Sequence, residues 1–179
     1  MLKKELSNQL VAILFAARDP VTTKELLDVF RDLSEPELTD ALDSLIQEFR
    51  NLIPAMEVRE IAGGYRITTR PEYHQVVSAY LKTKPTAKLS LAALETLSVI
   101  AYKQPITLPE IMEIRGIKST TTIRTLLEKR LIETRGRRKV VGKPIMYGTT
   151  RDFLLHFGLS DLQDLPTLEE FHDILEDLA

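Results

Sequence analysis

AYKQPITLPEI, residues 101–111, has a partner earlier in the chain: AARDPVTTKEL, residues 16–26. Pro20, Thr22, Glu25 and Leu26 fall on Pro105, Thr107, Glu110 and Ile111 at an offset of 85. The same offset carries Ser34, Leu38 and Leu42 onto Ser119, Ile123 and Leu127. Further on, TTRPEY (68–73) is echoed by TTRDF (149–153) at a slightly smaller offset. Three landmarks in one order imply two copies of one fold. The stretch KTKPTAK (82–88) between them has linker composition, and Pro85 discourages a continuous helix.

Local signals give each copy its elements. Thr22 with Glu25, Ser34 with Glu37, and Thr107 with Glu110 have the S/T-x-x-E form of a capping box, in which hydroxyl and carboxylate each satisfy an orphan backbone N–H. Ser90 and Ser119 are N-caps without the box, and Gly116 suits a helix end. The first copy is predicted as helices over 3–17, 23–32 and 35–49, strands over 56–61 and 65–69 around a Gly63-Gly64 turn, and a helix over 72–82. The second copy is predicted as helices over 91–102, 108–115 and 119–130, strands over 131–135 and 145–149, and a helix over 152–157. Three helices followed by a β-hairpin make a winged helix. The fold class is therefore α+β, mainly α with small β-hairpins, as tandem winged-helix domains. Residues 1–82 form the first domain, 83–88 the linker, 89–158 the second domain, and 159–179 an acidic tail. Each copy has roughly 75–80 residues, a size at which one core is marginal and association helps.

The tail, LSDLQDLPTLEEFHDILEDLA, holds a fourth capping box, Thr167 with Glu170. Leu168, Phe171, Ile174, Leu175 and Leu178 then share one face of a short amphipathic helix. Docking on its own domain and service as a partner-binding arm both fit that pattern.

Composition narrows the function. The 179 residues include no cysteine, which excludes disulfides and thiolate metal sites and fits a reducing compartment. No apolar run approaches the ~18–20 residues of a membrane span. The segment MLKKELSNQLVAILFAARDP is not expected to act as a signal peptide, because Glu5, Ser7, Asn8 and Gln9 interrupt its apolar stretch. Leu6, Leu10, Ile13, Leu14 and Ala17 instead mark one face of an amphipathic helix. The three histidines, His74, His156 and His172, lie in separate elements without metal-ligand spacing, and nucleophile and phosphate-loop motifs are missing. No enzyme and no cofactor is implied.

Charge is uneven. Residues 1–88 carry 12 basic and 13 acidic groups, residues 89–158 carry 12 and 6, and residues 159–179 carry 0 and 7. In helix-turn-helix proteins the helix after the turn enters the major groove. In the first copy that helix bears Glu35, Glu37, Asp40, Asp43 and Glu48, which phosphates would repel. The second copy offers Thr120, Thr121, Thr122, Arg124 and Lys129, together with the basic loop RGRRKVVGKP (135–144). Five loop cations on phosphates would give a log–log salt slope of about −4 to −5. A solvated wing that pairs with acidic protein surfaces, weak nonspecific DNA contact, and operator recognition by a dimeric transcription regulator all stay open on these residues alone.

The run 89–150 resembles the segregation and condensation protein B (ScpB) family. The motifs that carry the likeness are AALETL (92–97), IAYKQPIT (100–107), EIMEIRG (110–116) and GKPIMYGTT (142–150), followed by FGLSDLQDLPTLEE (157–170). Over 1–88 the likeness is looser and rests on the repeat and on GGYRITT (63–69). The resemblance implies a non-enzymatic subunit of the bacterial SMC complex, cytoplasmic and nucleoid-associated, that supports chromosome condensation and segregation. It implies dimerisation through the N-terminal domain, binding of the kleisin ScpA, contact with the SMC ATPase through ScpA, and weak or indirect DNA contact. On that basis Tyr102, Gln104, Pro105, Arg124, Arg137, Arg138, Lys143 and Tyr147 are candidate kleisin contacts, although Tyr102 and Tyr147 suit their own core equally well. Leu6, Leu10 and Phe15 are candidate dimer residues.

Overall fold

A computed structural model of the protein describes residues 3–81, 89–116, 120–167 and 170. The linker 83–88, the cap Ser119 and the apolar face of the tail helix lie outside these residues. The chain divides into two compact units: Met1–Lys84 together with Leu159–Ala179, and Pro85–Gly158.

The first unit contains α1 (Lys3–Ala16), α2 (Thr23–Val29), α3 (Glu35–Leu52), the hairpin β1 (Met56–Ile61) and β2 (Gly64–Thr69), a 3-10 turn (Pro71–Tyr73) and α4 (His74–Leu81). Both predicted boxes form. The Thr22 backbone N–H and hydroxyl donate to the Glu25 carboxylate at 2.8 and 2.7 Å, and those of Ser34 donate to Glu37 at 2.9 and 2.6 Å. These bonds favour the charged Glu37 and hold its carboxyl below the usual range. The core is built from Leu6, Leu10 and Leu14 of α1, Leu26 of α2, Leu38, Leu42, Leu45 and Phe49 of α3, and Val58 of β1. The α1 and α3 sets follow helical spacing, so each helix turns one stripe inward.

Several details differ from the sequence expectation, among them α3, which runs on to Leu52, and the 3-10 turn that precedes α4. Helix α2 ends at Val29, three residues early, where Phe30 turns out of the helix (φ −98°, ψ 65°). The hairpin turn is Ala62-Gly63 rather than Gly63-Gly64: Ile61 pairs with Gly64, and φ is +52° at Ala62 and +71° at Gly63. Positive φ at both central residues matches the twist of a two-residue hairpin. Gly64 has another task. A Cβ there would lie 2.9 Å from the Pro20 carbonyl carbon and 3.0 Å from the Val21 carbonyl carbon. This close approach lets Val21 and Tyr65 exchange N–H···O bonds of 2.8 Å each way. Gly64→Ala is therefore expected to cost about 1–3 kcal/mol, the usual range for overpacking against atoms that cannot yield. Thermal unfolding would measure it.

The second unit repeats the plan with α5 (Leu91–Lys103), β3 (Ile106–Thr107), α6 (Leu108–Arg115), α7 (Thr120–Glu128), β4 (Ile132–Arg137), β5 (Ile145–Thr149) and α8 (Arg151–Phe157). Its sheet has the order β3-β5-β4, antiparallel throughout. Strand β3 was not expected, yet Ile106 pairs with Tyr147 much as Val21 pairs with Tyr65. The repeat thus extends to a short third strand that ties the start of the second helix to the wing. Matched residues share environments: Leu26 and Ile111 are both fully buried. Both units are winged helices.

After Gly158, in left-handed conformation (φ +67°), the chain returns to the first unit. The Leu159 and Ser160 carbonyls accept hydrogen bonds from the Ala62 and Gly63 N–H groups at 2.8 and 3.0 Å. The last box also forms, with Thr167 N–H to Glu170 at 2.7 Å and Glu170 N–H to the Thr167 hydroxyl at 3.2 Å.

Candidate interaction surfaces

In the second unit Gln104, Arg138 and Tyr147 are spent on the fold. Gln104 follows α5, and its peptide bond to Pro105 is cis. Its Oε1 accepts the Thr149 N–H at 2.8 Å, while its Nε2 lies 3.1 Å from the Ala101 carbonyl and 2.9 Å from the Thr149 hydroxyl. Gln104 therefore joins the end of α5 to β5 and offers little to a partner. Tyr147 packs into the core beside Ile106 and is only 8% exposed.

The wing separates its cations. Arg138 donates to the Pro105 carbonyl at 3.1 Å and pairs with Glu110 at 3.0 Å. Glu110 in turn accepts from the Thr107 N–H and hydroxyl at 2.8 and 2.7 Å. The Thr107 bonds, and then the Arg138 charge, hold the Glu110 carboxyl below its usual range. Arg138 thus clips the wing to the start of α6. Arg137 is exposed and donates one bond, of 3.0 Å, to the Lys143 carbonyl. Lys143 is exposed in the turn that carries Val140 and Val141. Pro105 is exposed, but its carbonyl is taken by Arg138. Arg124 lies on the open face of α7, paired with Glu128 at 2.8 Å.

The motif EIMEIRG places Arg115 at the end of α6. Its guanidinium is almost wholly covered and donates to the Ala92 carbonyl, the Thr96 hydroxyl and the Glu95 carboxylate, all on α5. This clamp had no role in the sequence reading.

One surface feature was also missed. The inner face of α5 is Ala93, Thr96, Leu97, Ile100 and Ala101, all buried. Its outer face is apolar too: Leu91 is 72% exposed, Leu94 40% and Tyr102 45%. With Ser98 these residues follow i, i+3, i+7, i+11 spacing, so they form one stripe along the helix. Of the candidate kleisin contacts, Tyr102 alone belongs to it.

In the first unit, Leu10 is fully buried and Leu6 is 7% exposed, both in the unit's own core, while Phe15 is 74% exposed. Leu6 and Leu10 cannot present a surface to a second copy, because they lie on the stripe of α1 that packs on α3. The helix after the turn, α3, keeps Glu35, Glu37, Asp40, Asp43 and Glu48 at the surface. That acidic face opposes duplex phosphates. Among the described residues no group of three metal-binding side chains occurs, and no helix is long and apolar enough to cross a membrane.

A family model described as "Segregation and condensation complex subunit ScpB" matches residues 8–168. Segregation and condensation protein B of Alkaliphilus oremlandii is 41% identical over 181 residues, covering 98% of this chain and 97% of that protein. The protein of the same name from Symbiobacterium thermophilum is 44% identical over 160 residues, with 89% and 72% covered. Among solved structures, the crystal structure of ScpB from Mycobacterium tuberculosis is 30% identical, covers 89% of this chain and 98% of its own, and superposes with a TM-score of 0.42. A match running through both winged helices and into the tail, at about 40% identity to such relatives, means that the chain belongs to the ScpB family of segregation and condensation complex subunits.

Proposed function

We propose that this chain serves its segregation and condensation complex as a non-enzymatic adaptor, gripping the kleisin ScpA with the second unit and a second copy of itself with the first. ScpA would connect it to the SMC ATPase, and the complex would act in the cytoplasm on the nucleoid.

The observation that carries this reading is the outer stripe of α5. Leu91, Leu94 and Tyr102 give an apolar face with one polar tip, a composition that suits a protein partner and not a phosphate backbone. Arg124, Arg137 and Lys143 supply exposed cations for acidic residues of the same partner. Gln104, Tyr147 and Arg138 serve the unit's own fold and are not part of this surface. DNA contact through the wing is weak or indirect on this reading, since Arg138 is already engaged and α3 is acidic.

The test is calorimetric titration of ScpA with the full chain and its variants. Leu94→Glu is expected to weaken binding at least about tenfold, equivalent to about 1.4 kcal/mol, with unfolding temperature unchanged. Tyr102→Ala is expected to act in the same direction. Unaltered affinity in both variants would remove α5 from the interface. The competing reading, a dimeric regulator that recognises an operator, requires tight sequence-selective duplex binding that ScpA does not need to accompany.

A further inference from the structure

Beyond Gly158 the chain belongs to the first unit, and its path there is tied down in steps. The Leu159 and Ser160 carbonyls are held by the N–H groups of Ala62 and Gly63 at the hairpin tip. The Asp164 carboxylate then accepts from the Ser160 N–H at 2.8 Å and hydroxyl at 2.5 Å, which closes the 3-10 turn Leu162–Asp164. Thr167 and Glu170 form the box that opens a helix. From there the sequence sets Leu168, Phe171, Ile174, Leu175 and Leu178 on one helical face and Glu169, Glu170, Asp173, Glu176 and Asp177 on the other. A helix of about twelve residues is marginal alone in water, so this one needs a surface to lie on.

The first unit has such a surface. A groove of about 1140 Å³ lies between α1 and the turn from α2 to α3, with Ala12, Ile13, Val29, Phe30 and Leu33 in its lining. It opens where α2 stops at Val29, whose side chain is 62% exposed. Arg31, Asp32 and Glu37 stand beside these apolar residues. The apolar face of the tail matches the lining, while its acids, on the opposite face, stay clear of Asp32 and Glu37. The groove is also within reach. Gly64, next to the tethered Ala62 and Gly63, lies against Pro20 and Val21 just before α2. The groove is at the far end of that seven-residue helix, about 10 Å on. Residues 161–167 span about 20 Å even with the 3-10 turn among them. A tether this short gives the tail an effective concentration in the millimolar range, which a separate chain at micromolar concentration does not match.

We infer that residues 168–179 lie as a helix in this groove of their own chain's first unit, with Phe171, Ile174 and Leu175 against Ile13, Val29 and Leu33. The tail is then a built-in cover for the α1–α2 groove and not an arm for another protein.

The absence of cysteine from the chain makes the test direct. The full chain carrying Val29→Cys with Leu175→Cys has one thiol in the groove and one on the tail. A control carries Leu52→Cys with Leu175→Cys; Leu52 is 76% exposed at the other end of α3. Mild oxidation is expected to close an intrachain disulfide in most of the first protein and in little of the control, read as faster migration at the mass of one chain on a non-reducing gel. A second readout uses the single variant Val29→Cys. Adding Phe171→Glu is expected to speed its reaction with a maleimide about tenfold, the change that losing about 1.4 kcal/mol of docking gives, with circular dichroism unchanged. Disulfides formed only between chains overturn the inference, because the groove would then hold a second copy's tail. Equal closure in the control overturns it too, since the tail would have no fixed seat. A maleimide rate that ignores Phe171→Glu means an uncovered groove and also overturns it.

Discussion

Leu10→Ala is expected to cost the first unit about 2–5 kcal/mol, the range seen when a buried leucine is cut back and its cavity does not collapse. Leu10 has no exposed surface and packs among Leu6, Leu14, Leu38 and Leu42. A domain of this size holds only a few kcal/mol of stability in reserve, so the loss approaches the whole. The unfolding temperature of the first unit should fall by roughly 10–20 °C or more. Phe15→Ala, on the same helix, is expected to stay within about 0.5 kcal/mol, as exposed positions do. Thermal denaturation followed by circular dichroism separates the two. The comparison matters for association as well. A Leu10 variant would lose dimers by unfolding its domain, and that loss would say nothing about where copies meet. An equally large effect from Phe15→Ala would mean that α1 is covered by something other than its own unit.

Arg115→Met is expected to destabilise the second unit by about 2–4 kcal/mol. The guanidinium is nearly buried and holds three acceptors on α5. Hydrogen bonds to a charged group are worth about 1.5–3 kcal/mol, and a buried acceptor left without its donor adds a desolvation cost. Arg115→Lys should recover little, since one ammonium cannot serve three separated acceptors as a planar fork does. Glu95→Gln should cost under about 1 kcal/mol, because the Glu95 carboxylate is half exposed and screened by water. Urea unfolding of the three variants would measure the order. If Glu95→Gln matched Arg115→Met, the ion pair would be the dominant contact and the bonds to Ala92 and Thr96 secondary.

These variants also show where the sequence was legible. The repeat, the capping boxes and the helix end at Gly116 rest on local chemistry, and each formed with the residues that signalled it. Strand β3 has two residues, too few for any periodicity, and exists because Tyr147 and Met146 of β5 supply partners far along the chain. The hairpin turn moved by one residue because Gly64 is required by its closeness to Pro20, not by its own dihedral angles. The interaction surface was harder still. IAYKQPIT and YGTT stood out as motifs, yet Gln104, Thr149 and Tyr147 spend their groups inside the domain. Helix α5 is apolar on two faces, and periodicity alone does not say which one the fold covers. Leu91 and Leu94 were therefore indistinguishable from core until their exposure was known. In the same way α4 read as an ordinary closing helix until none of its residues proved buried.

On the proposed function the second unit grips a kleisin and does not read DNA. The most direct measurement places fluorescently labelled ScpA and labelled duplex DNA in parallel anisotropy titrations with the full chain, from low to physiological salt. The expected result is saturable ScpA binding that persists at physiological salt, beside duplex binding that is weak, indifferent to sequence and lost as salt rises. Duplex binding that survives physiological salt and selects particular fragments by roughly a thousandfold or more, with no binding of ScpA, would contradict the claim.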